Sequence, residues 1–388
     1  MLFKGIHRLL VLLQLAIGAV GFFLPALILG ESIDIGLQPF SAMFMAFLLG
    51  VVSLCVHEGG HYLGAKWCGM TVLSVRVLAM EIQPLRRGWK VRWSRRAKGQ
   101  PLGGYVMAAH PPHQPLRRTM LVFTVMGPLL NLLLAGLCLV LYPLLGGAFA
   151  ALVLALGVCN LSTGLANLVP TVGAGRVSDG AGFLAWLHKP DEQGQALAHV
   201  RLIALSVAGT QAEDLPGADL DYLGAEPLPA SLSALGYRVY ARQNRADWAG
   251  AVALGDELEA LLASHPLALK HCMLLLAIVR AELTFSRAML KGDAGELQGY
   301  LFNAETDWYS PSFRPRCLAL RAAFAGDAKQ MMHCVGQAVR LAHNSQDRSQ
   351  GSREERLTGY IQVLLTAPAS SAALPDPVPR TSVPAVSN

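Results

Sequence analysis

The chain has 388 residues, of which 53% are hydrophobic and only 15% charged. Soluble domains carry nearer a quarter of charged residues, so a wholly soluble protein is disfavoured and a membrane protein expected. The net charge of +6 does not imply nucleic-acid binding, because much of the excess lies between Lys66 and Arg118, beside apolar segments where it has a topological explanation. The seven cysteines show no paired spacing, which excludes a secreted disulfide framework and suits a reducing environment.

Four segments are apolar and long enough to cross a hydrocarbon core of ~30 Å, which takes about 20 helical residues. They cover residues 9–29, 40–63, 120–144 and 149–168. The first follows Lys4 and Arg8. It is too long for the apolar core of a signal peptide and shows no small-residue cleavage site, so it reads as an uncleaved helix.

The second segment carries no charge from residue 39 to 56 and then reads His57-Glu58-Gly59-Gly60-His61. A carboxylate at membrane depth costs at least about 2.5 kcal/mol, so ionisable groups there mark function. On a helix, residues four apart share a face, and His57 and His61 can reach one zinc ion. Glu58, one step round, can act on water. A buried His-Glu pair tying two helices together would explain one histidine and leave the other idle.

Residues 70–107 alternate in places, with Val72, Val75 and Val77, then Val91 and Trp93, and include Gly103-Gly104. Short strands are expected. They offer a substrate an edge for strand addition, or form an ordinary basic surface hairpin.

Two histidines leave a catalytic zinc one protein ligand short. The fourth segment ends in Asn167-Leu168-Val169-Pro170, and Ser178-Asp179-Gly180 follows. Asp179 can supply the carboxylate. Taken alone, it would also serve as the N-cap of a helix over 181–187, and Asn167 as a helix-packing amide.

At these residues the chain resembles the site-2 protease family of intramembrane zinc metalloproteases, which pairs HExxH with a later Asn-x-x-Pro…Asp-Gly motif. Pro101-Leu102-Gly103-Gly104-Tyr105-Val106 is similar to its membrane-associated β segment, and Gly127-Pro128-Leu129-Leu130-Asn131 to the start of its middle core helix. The gap from Pro170 to Asp179 is longer than in the best-known members. No PDZ insertion and no nucleotide-binding regulatory domain fits the sequence. The resemblance implies Zn2+ held by His57, His61 and Asp179, and water activated by zinc with Glu58 as general base. It further implies Asn167 bonded to the substrate or oxyanion, and Gly103, Gly104 and Tyr105 against an unwound substrate strand. The substrate would be a transmembrane protein.

Lysine and arginine bias gives an orientation. The loop after the second segment holds Lys66, Arg76, Arg86, Arg87, Lys90, Arg92, Arg95, Arg96, Lys98, Arg117 and Arg118 against Glu81 alone, so it should be cytoplasmic, and both termini with it. A multi-pass protein of a bacterial inner membrane is the expectation that the resemblance brings.

After Asp179 no run is long enough to span. Residues 188–224 read as a linker and 225–366 as an all-α cytoplasmic domain with a faint tetratricopeptide-like pattern. Residues 367–388, rich in Pro, Ser and Ala, read as a disordered tail. The helical domain is either a docking surface for a protein regulator or a bundle that stabilises the membrane portion. The fold class is therefore mainly α: a polytopic membrane protein with about four transmembrane helices, a short membrane-associated β segment and a C-terminal helical domain. Two other functions compete with the protease: a catalytically inactive scaffold of the same fold that binds partners, and a metal transporter. The transporter reading lacks an inverted repeat and a second set of intramembrane charges.

Overall fold

The computed structural model describes residues 2–32, 40–94, 103–173, 176–188, 191–265, 272–297 and 299–366. Expectations for Arg95, Arg96, Lys98, Pro101, Leu102 and the 367–388 tail lie outside these residues. The chain divides into two compact units, residues 1–197 and 198–388.

The first unit is built on α1 (Leu2–Ser32), α2 (Phe40–Trp67), α3 (Leu116–Leu141) and α4 (Gly147–Leu168). All four are long and apolar enough to cross a membrane. The apolar residues of α2 run all the way round the helix, as they do where neighbouring helices and lipid share its surface. Small side chains set the packing distance. Ala42 and Ala46 of α2 bury against Leu29 of α1 and Ala155 and Cys159 of α4. The α2–α3 contact is closer still. A β-carbon at Gly60 would fall on the carbonyl oxygen of Met126, and one at Gly64 would sit 2.8 Å from the Met126 side chain. Gly60 and Gly64 thus form the small-xxx-small seam that lets membrane helices approach without a hydrophobic drive between them.

Between α2 and α3 lies an antiparallel sheet of β1 (Thr71–Val77), β2 (Met80–Pro84), β3 (Trp89–Trp93) and β4 (Gly104–Ala109), in the order β3-β2-β1-β4. β1 starts four residues after α2 ends, so the sheet is anchored to the histidine helix. β4 pairs with β1 on one side only, with Val77 opposite Gly104 and Arg76 opposite Tyr105. After α4 a two-stranded hairpin, β5 (Val172–Gly173) and β6 (Arg176–Val177), leads into α5 (Asp179–Leu187).

The ends of α3 and α5 hold each other. Glu192 accepts from the backbone N–H groups of Leu116 and Arg117 at 2.9 Å each, satisfying two orphan donors at the start of α3. Arg117 in turn donates to the carbonyls of Trp186 and Leu187 at the end of α5. Gly127-Pro128-Leu129-Leu130-Asn131 sits well inside α3 rather than at its start, because the helix runs from Leu116.

Among its described residues the second unit's regular elements are all helical: α6 (Ala198–Ala208), α7 (Gly217–Ala225), α8 (Ala230–Asn244), α9 (Trp248–Ser264), α10 (Met273–Lys291), α11 (Ala304–Tyr309), α12 (Phe313–Phe324), α13 (Ala328–His343) and α14 (Arg348–Thr366). The linker expected over 188–224 is corrected. Leu202 of α6, Leu215 ahead of α7 and Leu223 of α7 are buried with Ala234 of α8 in one apolar cluster, so 198–225 is part of this unit. The short stretches 245–247 and 325–327 turn between helices, with Asp247 and Asp327 capping α9 and α13. At its centre Arg316, 1% exposed, donates to Glu282 at 2.6 Å and Glu354 at 2.9 Å, and Arg353 pairs with Glu282 at 2.9 Å.

Candidate metal centre

Three side chains from two helices converge. His57 Nε2 lies 3.0 Å from Asp179 Oδ2, His61 Nε2 3.4 Å from Asp179 Oδ1, and the two Nε2 atoms 3.2 Å from each other. One ligand atom from each residue falls within 4.8 Å of the others. Among the described residues this is the group of three or more that could hold a metal ion. His57, Glu58 and His61 are all buried.

Asp179 arrives there because the chain breaks after α4. Ser178, not Asp179, is the N-cap of α5: its Oγ accepts from the Ala181 N–H at 3.2 Å. The same Oγ accepts from the Thr171 N–H at 2.9 Å and donates to the Val169 carbonyl at 2.7 Å. This corrects the alternative that Asp179 caps the helix, and it leaves the Asp179 carboxylate free to face the imidazoles. The glycine after it has its own reason. A β-carbon at Gly180 would fall on the Leu168 carbonyl oxygen, so only glycine lets α5 start against the end of α4. Burial alone would raise the Asp179 carboxyl, but its hydrogen bonds to His57 and His61 outweigh that and hold it below the ordinary range.

The far nitrogens of both rings are engaged. His61 Nδ1 lies 2.8 Å from the Phe123 carbonyl oxygen, which only accepts, so Nδ1 carries the proton. His57 Nδ1 lies 2.8 Å from Asn131 Oδ1. A neutral ring so bonded presents a bare Nε2 lone pair. Two such lone pairs beside a carboxylate repel unless positive charge sits between them. Two imidazole nitrogens and one carboxylate oxygen are also the donor set that suits zinc. The residues present therefore fit a divalent cation. The α3 backbone is pressed against this cluster: a β-carbon at Gly127 would land on the His61 ring.

An open cavity of about 770 Å³ exposes the cluster. Glu58, Asn167, Gly103, Gly104 and Tyr105 all line it, so every site residue expected from the sequence opens on one space. Glu58 packs directly against Gly104, where a β-carbon would come within 2.5 Å of Glu58 Oε1. Asn167 donates to the Thr163 carbonyl of its own helix at 3.0 Å. Gln14 of α1 also lines the cavity. It donates to the Ala166 carbonyl at 3.1 Å and accepts from Thr171 Oγ1 at 3.0 Å, holding the break after α4.

Sequence reasoning missed Ser53, Asn131 as a ring partner, and Asn160. The signal was there: all three are polar residues inside apolar spans, and membrane interiors keep such groups only where they find partners. Gln14 carried the same signal.

Residues 44–148 match the family model of peptidase family M50. That metallopeptidase family is the site-2 protease family, so the resemblance read from the motifs is met over this stretch. The M50 match takes in His57, Glu58 and His61 on α2, the whole four-stranded sheet and α3. Asn167 and Asp179 lie beyond it and join the site through the fold. No match is found among curated proteins or among solved structures. The M50 match and the four apolar helices identify a membrane protein.

Proposed function

We propose that the chain is an intramembrane zinc metalloendopeptidase that hydrolyses peptide bonds of transmembrane proteins. One observation carries this reading: His57, His61 and Asp179 bring three ligand atoms within 4.8 Å, and Glu58 lines the same cavity. When bound, zinc supplies Lewis-acid polarisation of a carbonyl oxygen and acidifies water.

The chain's own residues do the rest. Glu58 stands one residue from His57 with its carboxylate against Gly104, so a strand lying along β4 passes within its reach. Its carboxylate takes the proton of the attacking water and passes it to the leaving nitrogen. β4 is an edge strand, and Gly103, Gly104 and Tyr105 at its cavity end accept an unwound substrate segment by strand addition. A helical substrate hides its carbonyls, and the β4 edge offers the unwound chain replacement hydrogen bonds. Asn167, on the cavity wall, hydrogen-bonds the substrate or the developing oxyanion once its amide turns from Thr163. The lysine and arginine bias of 66–118 supports an orientation with both termini in the cytoplasm, and the bacterial inner membrane rests on the family resemblance alone. The second unit serves as a docking surface for a protein regulator.

The test compares membrane-protein fragments in cells carrying the wild type and Glu58→Gln, with zinc content measured on purified wild type, Glu58→Gln and His57→Ala. The reading expects Glu58→Gln to keep zinc and lose cleavage, and His57→Ala to lose both. Cleavage at the wild-type rate by Glu58→Gln removes Glu58 as the base. A zinc-free wild type removes the enzyme.

A further inference from the structure

Behind His57 lies a chain of polar groups buried among α2, α3 and α4. Asn131 of α3 and Asn160 of α4 are 0% exposed, as is Ser53 of α2. Asn160 Nδ2 donates to the Leu156 carbonyl at 3.0 Å. Its Oδ1 accepts from Asn131 Nδ2 at 2.8 Å, and the same Nδ2 donates to the Ser53 carbonyl at 2.9 Å. Asn131 Oδ1 then faces His57 Nδ1 at 2.8 Å. Ser53 Oγ donates to Thr163 Oγ1 at 2.9 Å, and Thr163 Oγ1 donates to the Cys159 carbonyl at 2.8 Å.

The direction of this chain is not free. Backbone carbonyls only accept, so the amide nitrogens must lie at the Leu156 and Ser53 ends. That fixes both amides and leaves only an oxygen for His57. We infer that Asn131, held by Asn160 and Ser53, is the residue that determines which nitrogen His57 offers to the metal. The inference rests on the zinc reading above. Asn131 and Asn160 are positioning residues and touch neither metal nor substrate.

The clamp has a second grip. Asn131 holds the His57 ring and also the Ser53 carbonyl one turn earlier on the same helix. Two bonds from one amide to residues four apart set the rotation of α2 against α3. Asn160 and Thr163 tie the same turn to α4. The ligand is thereby referred to all three helices, so a shift in any of them moves His57 Nε2. Outer partners of this kind orient metal-bound imidazoles, and their loss typically lowers metal affinity about 10- to 100-fold.

The test uses the full-length protein in detergent, with zinc affinity read by competition against a chromophoric chelator. Asn131→Leu keeps the branching of the side chain and removes the acceptor, and about 10- to 100-fold weaker zinc is expected. Asn131→Asp keeps an oxygen towards Nδ1 but loses the donor that Ser53 and Asn160 hold, so zinc weaker than in wild type and tighter than in Asn131→Leu is expected. A residue that merely packs would lower the melting temperature of both variants and leave affinity alone. Unchanged affinity in Asn131→Leu, or equal loss in Asn131→Asp, overturns the inference. Should Asn131→Leu not fold, 15N-histidine spectra of zinc-loaded wild type decide, with His57 assigned by its loss in His57→Ala. Metal on Nε2 with a protonated Nδ1 is expected, and metal on Nδ1 overturns the inference. A wild type that binds no zinc instead removes the reading on which the inference stands.

Discussion

Gly104→Ala, set against Gly103→Ala, tests how the sheet meets the helix that carries His57, Glu58 and His61. A β-carbon at Gly104 would lie 2.5 Å from Glu58 Oε1, 2.6 Å from Glu58 Cγ and 2.6 Å from the Arg76 carbonyl oxygen. Carbon contacts are comfortable at about 3.5 Å, so close to ~1 Å must be recovered. The Arg76 carbonyl belongs to β1, which is paired on both sides and cannot yield without disturbing the ladder. The Glu58 side chain therefore gives way. Gly104 has an ordinary negative φ, so alanine there suffers from crowding and not from backbone strain. Overpacking costs about 1–3 kcal/mol, and a catalytic group displaced by ~1 Å can lose up to about 100-fold in rate. At Gly103 a β-carbon meets nothing within 4 Å. The assay is cleavage of a model transmembrane substrate at matched zinc content. Gly104→Ala should cleave about 10- to 100-fold more slowly with zinc retained, and Gly103→Ala, whose added carbon does not crowd Glu58, should lose distinctly less. Equal rates in the two variants would refute the claim that β4 is packed against Glu58.

Three further outcomes follow from other contacts. Ser178→Ala removes an oxygen that two N–H groups share and that also donates to Val169, so loosening of the Asp179 turn by about 1 kcal/mol and weaker zinc in chelator competition are expected. Arg316→Met would leave Glu282 and Glu354 buried without their shared partner, and a loss of about 3–5 kcal/mol should appear in thermal denaturation of the full-length protein. Burial would raise the Glu282 carboxyl, but Arg316 and Arg353 overcome it and pull it down to about 2, against 4.5 for an ordinary glutamate. Its stabilisation of the second unit is therefore complete above about pH 4.5 and lost as the pH falls towards 2, in all about 3 kcal/mol. Glu354 shifts the opposite way, raised by burial, so it does not add to that acid loss. Acid denaturation followed by tryptophan fluorescence should show the wild type losing stability across this window and Glu282→Gln showing a flatter profile.

What the chain order alone determined is local. Four uncharged runs give four helices, and His57 and His61 share a face because they are four apart, a relation that helix geometry fixes whatever surrounds it. Turns such as that before Asp247 are legible for the same reason, since a capping side chain bonds within its own first turn. The role of Asp179 was half legible: its residue type was right for a ligand, but its freedom from the capping role depended on Ser178. Only the tertiary structure decided what stands behind the ligands. Asn131 is 74 residues from His57, and the Phe123 carbonyl is 62 from His61. No periodicity links positions so far apart, because their proximity comes from how closely α2 and α3 pack. That distance is set in turn by Gly60, Gly64 and Gly127, whose missing side chains leave no hydropathy signal. The membership of 198–225 in the second unit was decided likewise, by where Leu202 and Leu223 found apolar partners.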